Sequence, residues 1–212
     1  MNPTGSYLRF EDDLLNRYSD YGDSDFVTFG ILIADPRQTA AREFIFNYLN
    51  VFDRESGDYF DFFIPGYTEV KWPDDAQKMD IRIREKEYFF SQKLFDDFWL
   101  NLEKNFDFEY TFNPMLILMS MQLGRINTAE YIILELDDAN NNGIQRSGML
   151  FRMIFRLART NPQLNDFQTM FQRTYVKGNW LNTIVNAIGQ DWLTEIDRTH
   201  GELKRFKIKH QY

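Results

Sequence analysis

Residues 26–34 read FVTFGILIA, a nearly continuous apolar run. A run of this length predicts a strand that is buried on both faces of a sheet. The run ends at Asp35 and Pro36. Asp35 can cap the N-terminus of a helix, and Pro36 suits the first helical position. A helix with one apolar face is expected next, and residues 59–64 predict a second strand. This strand–helix–strand order implies a parallel pair in one sheet.

Two later apolar runs, residues 115–121 and 130–136, are separated by a loop that is too short for a helical crossover. We therefore expect them to pair as an antiparallel hairpin. Between the first unit and this hairpin, residues 80–84 alternate Ile and Arg and predict a short edge strand. Residues 85–105 predict a helix with an apolar face. Together these patterns predict a mixed α/β sheet.

The chain of 212 residues divides by composition into three parts. Residues 1–25 are acidic and rich in turn-forming residues, and we expect an N-terminal arm. Residues 26–146 are expected to form the α/β core domain. Residues 147–212 carry successive helical patterns and are expected to form a helical C-terminal lobe packed on the core.

Charge and cysteine content exclude several classes of function. Residues 1–150 carry 14 basic and 27 acidic side chains, whereas residues 151–212 carry 10 and 5. The acidic part argues against a nucleic-acid partner there, and only the basic last part leaves that question open. The chain has no cysteine, which excludes thiol, disulfide and cysteine-metal chemistry and fits a cytoplasmic location. No apolar window is long enough to predict a membrane span.

The order of elements resembles that of the thioredoxin-like superfamily: β-α-β, a helix, a β-hairpin, then helix. Asn113-Pro114 stands directly before the third core strand, where that family usually has a cis proline. The resemblance implies a thioredoxin-like mixed sheet with an extended helical C-terminal lobe. The family's redox motif would lie at residues 35–39, which read DPRQT, so the resemblance implies a scaffold used for binding instead. The alternative is a Rossmann-like or flavodoxin-like sheet in which the last two strands form no hairpin.

Three residues near the ends of the first two core strands are candidates for ligand binding: Asp35, Arg37 and Tyr67. Ligands of parallel α/β sheets gather at such strand ends. Asp137 also follows a core strand, but we expect an antiparallel fourth strand to leave it at the opposite edge of the sheet.

A second candidate surface lies in the C-terminal part. Arg152, Arg156 and Arg159 lie at positions i, i+4 and i+7, so a helix would place them on one face. Such a face could bind an anion or an acidic partner. These arginines could equally pair with acidic side chains in the first part of the same chain.

The sequence supplies no set of residues for known catalytic chemistry. Its two histidines, His200 and His210, lie in the basic C-terminal tail, and the glycines form no phosphate-binding loop. No catalytic residue, metal site or cofactor is predicted. The leading hypothesis is a non-redox interaction domain that binds a protein partner or self-associates. The alternative is an enzyme or sensor that binds a phosphorylated or nucleotide-like ligand at the strand ends. A weaker alternative is nucleic-acid binding by the basic C-terminal lobe.

Overall fold

The computed structural model describes residues 1–18, 26–57, 60–106, 109–122 and 125–136, together with residues 144, 147–148, 151–152 and 154–155. The helices predicted beyond residue 155 lie outside the described residues. None of the helices in the described ranges is long and apolar enough to cross a lipid bilayer.

The described part of the chain is a mixed α/β fold. Its helices and strands follow in this order: β1 (Asn2–Thr4), α1 (Tyr7–Arg17), β2 (Phe26–Ile33), α2 (Thr39–Phe44), a 3-10 turn (Phe46–Tyr48), α3 (Leu49–Ser56), β3 (Asp61–Pro65), β4 (Tyr67–Thr68), β5 (Gln77–Ile83), β6 (Lys86–Phe90), α4 (Gln92–Asn105), β7 (Met115–Gln122) and β8 (Arg125–Glu135).

The main sheet has five strands in the order β1-β3-β2-β7-β8. Strands β1, β3 and β2 run parallel, β7 is antiparallel to β2, and β8 is antiparallel to β7. The predicted parallel pair and the predicted hairpin are both confirmed. The alternative sheet without a hairpin is therefore wrong.

One edge of the main sheet collects the ends of several strands. Ile33 at the end of β2 pairs with Met115 at the start of β7, and Met115 pairs with Glu135 at the end of β8. The end of β8 thus lies at the same edge as the end of β2, because two antiparallel steps restore the strand direction. The expectation that the fourth strand ends at the opposite edge is wrong. Asp137 itself lies outside the described residues.

Residues 1–18 of the acidic N-terminal segment belong to the fold and do not form a separate arm. Strand β1 pairs with β3, and α1 buries Tyr7, Phe10 and Leu14. These residues have the i, i+3, i+7 spacing of an apolar helix face, which the surrounding acidic residues obscured. Phe10 lies at the centre of the core, with its ring centroid 5.0 Å from that of Phe63 and 5.4 Å from that of Phe98. Edge-to-face contacts of this kind add to the free energy of burial.

A second, antiparallel sheet of three strands has the order β4-β6-β5. It includes residues 86–90, which we expected to begin a helix. Tyr88 and Phe90 are buried, whereas residue 89 between them and residues 86–87 before them are more exposed. Burial of every second residue is typical of a strand. The turn from β5 to β6 consists of Arg84 and Glu85, both at positive φ (52° and 65°). A two-residue hairpin turn of type I′ requires positive φ at both positions, although glycine or asparagine is the usual occupant.

The helix expected after β2 is broken into α2, the 3-10 turn and α3. Ala41, Ile45, Leu49 and Phe52 are buried as predicted, but Tyr48 is 48% exposed. Phe52 also contacts Phe151, with ring centroids 4.8 Å apart. The described residues of the C-terminal part therefore pack against the α3 side of the core. The extent of the predicted lobe stays a prediction.

Candidate functional site

Asp35 and Arg37 form a fork just beyond the end of β2. The Asp35 carboxylate accepts hydrogen bonds from the Arg37 main-chain nitrogen (2.9 Å), from Nε (3.0 Å) and from Nη2 (2.6 Å). It does not cap α2, which begins at Thr39. Asp35 is 9% exposed, whereas 59% of the Arg37 side chain is exposed. Hydrogen bonding to Asp35 raises the pKa of Arg37, so the guanidinium stays charged, held in a fixed orientation and partly neutralised.

Tyr67 reaches the same place from the end of β3. It follows Gly66, whose φ of 85° turns the chain and whose added Cβ would lie 2.8 Å from both Phe90 and Phe95. Tyr67 is buried, and its hydroxyl has no hydrogen-bond partner among the described residues. Burial, and after it the charge of Asp35, raise the pKa of Tyr67 well above its ordinary value. The phenol is therefore neutral and lies near the Asp35 carboxylate.

Tyr110 is a second buried tyrosine near Asp35, and it was not among the candidates from the sequence. Its hydroxyl also lacks a hydrogen-bond partner among the described residues. Burial, followed by the charges of Asp35 and Asp96, raises the pKa of Tyr110. No local pattern marks it, because it joins the site through contacts of its ring with Phe95 and Trp99 of α4.

Asp96 supplies a second carboxylate, from α4. Its Oδ1 atom accepts hydrogen bonds from Gln92 Nε2 (2.6 Å) and Trp99 Nε1 (3.1 Å). Its charge also contributes to the raised pKa of Arg37. Two carboxylates thus act on a single guanidinium, with two neutral phenols beside them. Among the described residues of this place, two carboxylates and one guanidinium leave the local charge negative, which disfavours a further anion.

Phe112 forms the exposed side of this place. Its ring centroid lies 5.3 Å from that of Tyr110 and 6.0 Å from that of Trp99, yet 65% of the residue is exposed. Its φ is 64°, an outlier for a bulky residue, and its carbonyl oxygen accepts a hydrogen bond from Gln38 Nε2 at 2.7 Å. Backbone strain of this kind persists only where surrounding contacts hold it, and it clusters at functional sites. We refer to these residues as the strand-end site: Asp35, Arg37, Tyr67, Asp96, Tyr110 and Phe112.

The bond between Asn113 and Pro114 is not cis, so that expectation is wrong. Among the described residues, the cis peptide bond is the one between Trp72 and Pro73. The backbone turns before β7 at Phe112, which has a positive φ. The Pro114 carbonyl then accepts a hydrogen bond from the main-chain nitrogen of Leu136 at 2.7 Å, which ties β7 to the end of β8.

The structure thus brings Asp35, Arg37 and Tyr67 together near the ends of β2 and β3, and ligand binding by them stays a prediction. It describes only the first of the three arginines predicted to share a helix face. Arg152 donates from Nε to Glu55 Oε2 at 3.1 Å. Arg156 and Arg159 lie outside the described residues. Within the described ranges, no group of three or more His, Cys, Asp or Glu side chains could hold a metal ion.

No family model matches this chain, and neither a curated protein nor a solved structure matches it. The geometry of the strand-end site therefore has to be interpreted on its own. Asp35 and Arg37 are paired with each other, Asp96 accepts hydrogen bonds from uncharged donors, and the phenols are neutral. None of the described residues of the site forms a nucleophile–base pair of the kind that acyl or phosphoryl transfer requires.

Proposed function

We propose that this chain is a non-redox interaction domain with a thioredoxin-like sheet, and that it binds a protein partner or a second copy of itself through Phe112. The observation that carries the proposal is the combination of 65% exposure and a positive φ at this aromatic residue. A solvent-exposed phenylalanine contributes little to folding. The backbone of Phe112 is also strained. Binding a partner would explain why an exposed aromatic side chain is held at a strained position.

The thioredoxin-like part of the proposal is supported by strand pairing. The parallel β2 and β3 pair, joined through helices, and the antiparallel β7–β8 hairpin follow the order that the resemblance implies. Residues 35–39 would then occupy the place of the redox motif. In this chain the Asp35–Arg37 fork fills that place, and no thiol is present.

Contact with a protein surface suits the chemistry around Phe112. Burying a phenylalanine side chain contributes about 1.5–3 kcal/mol, and aromatic residues and arginines are enriched where proteins meet. Arg37 presents a half-exposed guanidinium that is already oriented by Asp35. A partner would therefore meet an aromatic contact and a fixed donor without the entropy cost of ordering either side chain.

A phosphorylated or nucleotide-like ligand suits the strand-end site less well. Arg37 is its cation, and the carboxylates of Asp35 and Asp96 already act on it. Among the described residues of the site, two carboxylates lie near this one guanidinium, so the local charge is unfavourable for a phosphate. The third hypothesis, nucleic-acid binding by the C-terminal lobe, concerns residues outside the described part of the chain.

The test compares two matched substitutions of exposed apolar residues, Phe112→Ser and Leu100→Ser. Leu100 is 41% exposed on α4 and lies outside the strand-end site. Self-association is measured by light scattering during size-exclusion chromatography, and partner binding by quantitative affinity purification from the host. We expect Phe112→Ser to abolish an oligomer or a specific partner that Leu100→Ser retains. The proposal is wrong if the wild-type chain is monomeric and both variants recover the same proteins as it does.

A further inference from the structure

A cleft of about 610 Å³ lies beside β1, on a part of the molecule that the strand-end site does not include. One wall is α1, with Arg9, Asp13 and Arg17. The other wall is formed by Glu69 and by the β5–β6 hairpin, with Arg84 and Lys86. This volume falls within the range of small-molecule binding sites in proteins. We call it the β1 cleft.

The lining of the β1 cleft is basic in an acidic protein. Its side chains include four cations, two on each wall, against two carboxylates. Each cation is paired with a carboxylate, either one in the lining (Asp13, Glu69) or one just behind it (Asp53, Asp61). A guanidinium carries five N–H donors, so a paired arginine keeps donors for an anionic ligand. The pattern of cations on facing walls favours a ligand that carries negative charge at two points.

The arginine of the α1 wall is oriented from behind. Arg17 donates from Nη1 to Asp61 at 2.5 Å and from Nη2 to Asn2 Oδ1 at 2.8 Å. The Asp61 side chain is 21% exposed, whereas that of Arg17 is 41% exposed. The acceptor therefore lies on the protein side and the guanidinium on the solvent side, where it lines the cleft.

The arginine of the hairpin wall is held in the same way. Arg84 donates from Nε and Nη2 to the two carboxylate oxygens of Asp53, each at 3.0 Å, and Asp53 is 12% exposed. Arg84 also has a positive φ, so the backbone of the turn is strained where it presents this side chain. A bidentate fork fixes the plane of a guanidinium, and an oriented guanidinium loses little entropy when it binds an anion.

We propose that the β1 cleft binds a small organic polyanion, a molecule with at least two carboxylate or phosphate groups. One anionic group would lie between Arg9 and Arg17, and another between Arg84 and Lys86. Pro3 and the ring of Tyr88, which also line the cleft, would contact the part that joins them. The proposal does not depend on the function proposed for the strand-end site.

Isothermal titration calorimetry with citrate and with inorganic pyrophosphate, at low ionic strength, tests the proposal on the full chain. Arg9→Gln is the informative variant. The Arg9 side chain is 74% exposed and its ion pair with Asp13 is long, at 3.9 Å, so its loss leaves the fold intact. We expect saturable binding of at least one anion, weakened about fivefold by Arg9→Gln, since an exposed charge contributes about 1 kcal/mol.

Two further variants separate the cleft from the rest of the surface. Arg54→Gln removes an exposed arginine that does not line the cleft and should leave binding unchanged. Asp13→Asn removes a carboxylate from the lining and should tighten binding. Binding of citrate alone or of pyrophosphate alone would identify the anionic group. No saturable heat with either anion, or an equal loss in Arg9→Gln and Arg54→Gln, would overturn the proposal.

Discussion

Tyr67 buries its hydroxyl close enough to Asp35 for the carboxylate to raise its pKa, yet the hydroxyl has no hydrogen-bond partner among the described residues. A buried polar group without a partner costs about 1–3 kcal/mol of stability. Asp35 cannot relieve this cost, because its oxygens are occupied by Arg37. The protein is therefore less stable with tyrosine at this position than it would be with an apolar side chain of the same shape.

The first prediction concerns the unpaired hydroxyl. Tyr67→Phe should leave the free energy of unfolding unchanged or raise it by about 1 kcal/mol, because it removes a desolvated group that makes no hydrogen bond. Tyr18→Phe is the matched control, since the Tyr18 hydroxyl donates to Asp61. It should lower the free energy of unfolding by about 1–2 kcal/mol. Urea denaturation followed by fluorescence measures both; a loss above 1 kcal/mol in Tyr67→Phe would mean that the hydroxyl is paired after all.

The second prediction is an alkaline loss of stability. The folded-state pKa values of Tyr67 and Tyr110 lie above the ordinary value of 10.0. Below pH 10.0 both phenols are protonated in the folded and the unfolded chain, and their contribution to the free energy of unfolding is complete. It is lost as the pH rises from 10.0 through the folded pKa, because the unfolded chain releases the protons first. The free energy of unfolding of the wild-type chain should therefore fall above pH 10. A Tyr67→Phe/Tyr110→Phe double variant should fall less steeply, and equal slopes would contradict the prediction.

The third prediction separates the strain at Phe112 from its side chain. Phe112→Ala and Phe112→Gly both remove the ring, but only glycine adopts a φ of 64° without a steric penalty. Phe112→Gly should be more stable than Phe112→Ala by about 1 kcal/mol, as thermal or urea unfolding would measure. Ordinarily glycine is the less stable of the two, so the reverse order would show that the backbone is not strained there.

The fourth prediction is an acid-dependent ion pair at Asp53. Burial alone would raise the pKa of Asp53, but hydrogen bonds from Arg84 and from the amino group of Met1 lower it below its ordinary value of 3.8. The contribution of the ionised Asp53 carboxylate to the free energy of unfolding is therefore complete above pH 3.8. It is lost as the pH falls through the folded-state pKa. Asp53→Asn should cost about 2 kcal/mol at pH 7, with a difference from wild type that shrinks below pH 4. A difference that does not change between pH 7 and pH 3 would contradict this assignment.

The fifth prediction concerns the packing of β2. A Cβ atom at Gly30 would lie 2.8 Å from the Phe62 ring, so Gly30→Ala should cost about 1–3 kcal/mol through overpacking. Gly148→Ala is the control, because its Cβ would meet the Phe52 ring at an ordinary 3.9 Å in a helical segment. It should raise stability by up to about 1 kcal/mol. Similar losses in both variants would mean that the clash at position 30 is relieved by movement of Phe62.

The strands of the main sheet could be predicted because their signals are strong and local. The run of residues 26–34 and the short spacing before residue 130 sufficed for the parallel pair and the hairpin. The β5–β6 hairpin could not be predicted, because its turn is Arg84-Glu85 without glycine or asparagine. Its strain is compatible with the fold because a contact distant in sequence, from Arg84 to Asp53, holds the turn in place.

The strand-end site was predictable only in part, for a similar reason. Asp35 and Tyr67 each lie two residues beyond the end of a strand, β2 and β3, so the parallel direction of these strands brings them to one edge. Tyr110 and Asp96 join them through the packing of α4, which no local pattern encodes. The exposure of Phe112 depends on the turn before β7, and a positive φ at phenylalanine leaves no mark on the sequence.

The position of β2 at the centre of the sheet bears on how the chain folds as it is synthesised. Its neighbour on one side, β3, follows soon after, but on the other side Phe26 pairs with Gln122. The apolar run of β2 therefore leaves the ribosome long before β7 can cover its second edge. Until then one edge of β2 stays open to pairing with other chains. Completion of the sheet has to wait for β7, so a nascent chain arrested before β7 should depend on chaperones in a way that the finished chain does not.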